Sequence, residues 1–123
     1  MQRFIIPGRL PGYNELKSKC WQASMRVKNE AMNRVQIHAL SIKPIRAKAV
    51  ITIACFEPNA KRDPDNVQSG AAKIILDALQ RCGKLANDNR RHVELHHVPV
   101  EVDRVDPRIV VSIEAVTEAK GNG

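Results

Sequence analysis

The chain has 123 residues, with 20 lysines and arginines against 13 acids and a formal net charge of +7. That length holds one domain with a modest core but not two, and a composition 43% hydrophobic and 27% charged is that of an ordinary globular protein. The surplus of cations suits a polyanionic partner, while a ring inventory of Phe4, Tyr13, Trp21 and Phe56 argues against base stacking on an aromatic platform.

In chain order, "RFIIPG" is a short strand candidate closed by the punctuating run Pro7 to Asn14. From about Lys17 to Leu40 the pattern is helical, with Cys20, Ala23, Val27, Ala31 and Val35 on one stripe. Pro44 bars its continuation. "IRAKAVITIACFE" reads as a long strand in which Ile45, Ala47, Ala49, Ile51 and Ile53 alternate with more polar positions. The clearest helix follows: Val67, Ala71, Ile74, Ile75, Ala78 and Cys82 share a stripe. Gly83 sits where helices stop in a left-handed residue, and Gly70 interrupts the helix at a cost. Two strand candidates, "HVELHHVPVEV" and "RIVVSIEAV", are joined by the turn-like "DRVDP", with Pro99 favouring an edge or bulged strand. The expectation is α+β: a single small domain spanning 1–118, with two main helices packed on a mixed β-sheet with a C-terminal hairpin, and a disordered tail at 119–123.

Cys20, Cys55 and Cys82 are far apart and form no CxxC pair, so each reads as a small reduced core residue. With no apolar run long enough for a signal peptide or a membrane span, the expected location is the cytoplasm, with no membrane partner.

The chemistry concentrates in "KRDPDNVQSGAAKIILDALQRCGKLANDN", Lys61 to Asn89. Asp63 precedes Pro64, which holds it extended, and residues i and i+2 of an extended segment point the same way. Asp63 and Asp65 therefore either present two carboxylates together, or serve as an N-cap and a first-turn acid favourable to the helix dipole. Asp88, between two asparagines, is either turn chemistry or a third carboxylate returning towards the helix start. Three hard oxygen ligands on a rigid platform suit Mg²⁺, which activates water and neutralises charge on a phosphate in transit.

Lys73 lies on the polar side of the helix, where it either contacts a phosphate or pairs with Asp77 at i, i+4. Lys61, Arg62, Arg81, Lys84, Arg90 and Arg91 surround the acids and are candidate DNA-phosphate contacts, or else solvated surface charges. His92, His96 and His97 invite a zinc reading, but adjacent strand residues such as His96 and His97 face opposite sides, His92 and His96 are far apart, and no cysteine pair or HExxH motif accompanies them.

Taken together, "RDPDN", "KIILDAL", Gly83 and "NDN" resemble the RusA family of crossover junction endodeoxyribonucleases, the Holliday junction resolvases common in prophages. The shared pattern is Asp-x-Asp-Asn, a Lys-x-x-x-Asp-x-Leu helix, then Gly with an acid five residues on, over Lys61 to Asp88. The resemblance implies a small homodimeric α/β protein that uses Mg²⁺, with Mn²⁺ as a substitute, to place paired nicks across four-way DNA junctions in recombination and repair. By motif, Asp63, Asp65 and Asp88 would bind the metal, Lys73 would be the motif's lysine, and Asn66 would support the first acid pair. This sequence departs in two places. The interval from Asp65 to Lys73 is one helical turn longer than in the shorter family form, with Ser69 at the earlier position, and Asn87 stands where some relatives carry another acid. The alternatives are a non-catalytic basic nucleic-acid-binding module, and a nuclease acting on other branched or flap DNA.

Overall fold

The computed structural model describes residues 1–17, 20–85 and 93–116. Its elements in chain order are β1 (Gln2–Pro7), α1 (Tyr13–Leu16), α2 (Trp21–His38), β2 (Lys48–Glu57), α3 (Pro64–Arg81), β3 (Val93–His97), β4 (Glu101–Val102) and β5 (Arg108–Val116). The architecture is α+β, with helices over one mixed sheet of order β1-β5-β2-β3 and β4 paired with the end of β2.

Alternation builds the core. Ala49, Ile51, Ile53 and Cys55 of β2, Ile109, Val111 and Ile113 of β5, and Phe4 and Ile6 of β1 are all buried, as the period of two in a half-covered sheet requires. Above them α3 contributes Val67, Ala71, Ile74, Ile75, Ala78 and Leu79, and α2 contributes Ala31, Met32 and Val35. The helices are tied together by Lys28–Asp77 at 2.8 Å and by Arg81 donating to Asn33 and Gln36.

The expected C-terminal hairpin does not form. β3 pairs in parallel with β2, from Ala49↔Val93 to Ile53↔His97, because α3 returns the chain to the start of β2. β5 then crosses to the other side of β2 and runs antiparallel to both β2 and β1. The apolar alternation of Ile109, Val111 and Ile113 suits an interior strand, whereas β3 is short and carries Glu94, His96 and His97, which suits an edge. Pro99 falls between β3 and β4, in accord with a donor-less residue at an interruption of an edge strand.

Other elements shift locally. The first long helix begins at Trp21 rather than Lys17, and Tyr13–Leu16 forms a short helical turn of its own. Ile45 leaves the long strand and makes an isolated bridge to Leu85. Of the cysteines only Cys55 is core; Cys20 and Cys82 are exposed because they cap α2 and α3 instead of lying within their apolar stripes. The expected tail at 119–123 lies outside the described residues.

Candidate metal site at the start of α3

The loop from β2 delivers Asp63 to the N-cap of α3 with φ −59° and ψ 130°, and Pro64 follows at the first helical turn. Asp63 Oδ2 accepts from the Asn66 backbone N–H at 3.2 Å, so the capping role is real and uses one carboxylate oxygen. Asp65 lies exposed in the first turn, and its carboxylate makes no hydrogen bond or ion pair among the described residues. Asn66 Oδ1 accepts from the Asn14 N–H at 2.7 Å, tying α1 to α3.

That tie depends on two glycines. A Cβ on Gly70 would lie 2.2 Å from the Pro11 carbonyl oxygen and 2.7 Å from Gly12 Cα, and one on Gly12 would lie 2.3 Å from Asn66 Nδ2. The segment Pro11–Asn14 thus rests directly on the backbone of α3. Between them a cavity of about 210 Å³ opens, lined by Tyr13, Asn14, Asp63, Asp65, Asn66 and Ser69. It lies by the carboxyl ends of the parallel strands β2 and β3, since Gln68 Nε2 donates to the Val98 oxygen and the Val98 N–H to that of Ile53. This end of such a sheet is where ligands commonly bind.

The loop that leads into Asp63 is anchored by a group that sequence reasoning missed. Glu57, only 3% exposed, continues the buried parity of β2 beyond Cys55. Arg62 grips it through two parallel bonds of 2.8 Å, and Arg9 adds a third at 3.1 Å. Arg62 Nη1 also reaches the Leu10 carbonyl at 3.0 Å and Glu15 at 3.1 Å. Burial alone pushes the Glu57 carboxyl up, but the hydrogen bonds and charges of Arg62 and Arg9 outweigh it and hold the group below its ordinary range. Because Arg62 immediately precedes Asp63, this network fixes the approach of the chain to the acid pair. The neighbouring Cys55 thiol is pushed up to about 12 by burial and by the charge of Glu57, which makes it inert as a nucleophile.

The arrangement brings Asp63, Asp65 and Asn66 together, and adds Ser69, Asn14 and Tyr13. Ser69 takes the face one turn below Asp65, where the resembled shorter motif has its lysine. Lys73 does not line the cavity. It lies about 12 Å along the axis from Asp65 and pairs with Asp77 at 3.3 Å. Arg62 is held inside the Glu57 network, Arg81 against α2, and Lys84 by the Ile42 carbonyl. Lys61 is exposed, its backbone N–H bonded to Asn59. Asp88, Arg90, Arg91 and His92 lie outside the described residues. Leu85 is bridged to Ile45, and Val93 stands opposite Ala49.

Two carboxylates, two side-chain amides and two hydroxyls line the cavity at a helix N-terminus, a set of hard oxygen donors. No group of three or more His, Cys, Asp or Glu side chains able to hold a metal occurs among the described residues. The donor set fits Mg²⁺, which is commonly bound by one or two carboxylates with water and substrate phosphate completing the shell. The chain matches no family model and no curated protein. No helix among the described residues is long and apolar enough to cross a membrane.

Proposed function

We propose that the protein is a Mg²⁺-dependent, structure-selective DNA endonuclease of RusA type, acting as a homodimer on four-way junctions. The observation that carries the reading is the cavity at the start of α3, where Asp63 and Asp65 meet Asn66 and Ser69 against the Pro11–Asn14 segment. Asp88 enters the proposal through the motif alone.

Asp63 and Asp65 would hold the ion. When bound, Mg²⁺ supplies a Lewis acid for a phosphate oxygen and a means of lowering the pKa of water. Arg62, clamped by Glu57, holds the backbone leading into Asp63, and Asn66 fixes α1 as the opposite wall. The Ser69 hydroxyl faces the same cavity as a neutral donor for a phosphate oxygen. The helix N-terminus adds its own attraction for an anion. Symmetric resolution needs two such sites, which a two-fold dimer supplies. Lys73 acts at the site only if a ligand draws it away from Asp77.

Cleavage of matched four-way, flap and linear duplex DNA in Mg²⁺, with chelator as control, tests the reading. Metal-dependent paired nicks confined to the junction are expected. Equal cutting of the linear duplex would overturn the resolvase reading, and binding without any cleavage would favour a non-catalytic binding module.

A further inference from the structure

We infer that a second cavity, which also draws its lining from the Pro11–Glu15 segment, is a binding site for a phosphate group. It measures about 260 Å³ and is lined by Arg9, Leu10, Pro11, Glu15, Arg34 and Arg62. Three guanidinium groups from the β1–α1 loop, α2 and the β2–α3 loop thus converge on one space. Among the described residues two carboxylates oppose them: Glu57, shared by Arg62 and Arg9, and Glu15, which meets Arg62.

Two details point to an oxyanion rather than a balanced structural cluster. Arg34 makes no ion pair among the described residues. Its Nη1 donates to the Arg9 carbonyl at 2.8 Å and its Nη2 to that of Pro7 at 2.7 Å. The turn at Gly8, φ +82°, lies between these two carbonyls. The guanidinium is held in place with its charge uncompensated, which lowers the ordering cost of binding an anion. In addition, the Arg9 Nε–H is buried without a hydrogen-bond partner among the described residues, an omission proteins rarely leave. A phosphate offsets the surplus charge, and planar guanidinium groups match its oxygens in pairs; contact with the enclosed Arg9 Nε–H requires that side chain to move. This inference holds whether or not Asp63 and Asp65 bind a metal.

The test uses the full chain without metal. Arginine Nε–Hε resonances are followed by NMR while inorganic phosphate is added, for wild type, Arg34→Gln and Arg9→Lys, the last keeping the charge but removing the Nε–H. DNA affinity is then measured against salt for the same three proteins, with thermal melts confirming the fold. A saturable shift of the Arg9 signal in wild type, weakened or lost in Arg34→Gln, is expected. If the phosphate belongs to nucleic acid, the slope of log affinity against log salt also falls in magnitude by about one in Arg34→Gln. A saturable shift with an unchanged slope assigns the site to free phosphate or a mononucleotide. Should Arg34→Gln fail to fold, a weakened phosphate shift of the Arg62 Nε–Hε signal in Arg9→Lys supports the site. Wild-type signals that do not respond to phosphate, with unchanged salt slopes in the folded variants, overturn it.

Discussion

Replacing Gly70 with alanine reverses the usual sign of a glycine substitution in a helix. At an exposed mid-helix site the change stabilises by about 1 kcal/mol, since alanine gives up less backbone freedom on folding. Here the new Cβ would stand 2.2 Å from the Pro11 oxygen and 2.7 Å from two Gly12 backbone atoms. Relief to ordinary contact needs a backbone displacement of about 1 Å, and overpacking of this kind costs about 1–3 kcal/mol. The net expectation is a loss of about 0–2 kcal/mol, read by urea or thermal unfolding; each 1 kcal/mol corresponds to roughly 3–6 °C in Tm for a chain of this size. The Pro11–Asn14 wall should also withdraw, weakening Mg²⁺ and DNA binding by more than the stability change alone accounts for. Stabilisation near 1 kcal/mol with site binding intact would refute the close-approach reasoning.

Gly12→Ala meets the end of the Asn66 side chain instead of backbone, so it should unfold the protein less than Gly70→Ala while breaking the Asn66–Asn14 bond, visible as an Asn14 amide shift by NMR. Glu57→Gln removes the carboxylate shared by Arg62 and Arg9 and should cost about 3–5 kcal/mol in chemical denaturation, as when one partner of a buried pair is lost. The folded Glu57 carboxyl lies below its ordinary 4.5, so its stabilisation is present above that pH and is lost as pH falls through the folded value. Acid unfolding of wild type should show this decline, and a folded Glu57→Gln protein should show a shallower one. Lys73→Ala removes an exposed i, i+4 pair and should change stability by only about 0.2–0.5 kcal/mol, a thermal-melt measurement that separates its packing role from any effect on cleavage.

The period-two and 3.6-residue patterns were enough to find β1, the body of β2, α3 and most of α2, because each element buries a single face. Pairing was less legible. Whether β5 joins β3 or crosses to β2 depends on which strand fills the sheet interior, and local turn signals in "DRVDP" do not carry that information. Gly70 looked like a weakness in its helix, although its missing Cβ is what lets α1 close the cavity. Arg62 reads from sequence as a DNA-phosphate contact or a solvated charge because its pairing with Glu57, five residues back, is set by the β2–α3 loop and not by a helix or strand period, yet β2 alternation already assigns Glu57 to the inner face. The two readings of Asp63 are compatible: one oxygen caps the helix, and the carboxylate still lines the cavity.

The central claim is tested most directly by Asp63→Asn, since asparagine caps a helix about as well as aspartate but supplies a far weaker Mg²⁺ ligand. Cleavage of a four-way junction in Mg²⁺ should disappear while the melting temperature and junction binding stay near wild type. An Asp63→Asn protein that cuts the junction as fast as wild type would contradict the account.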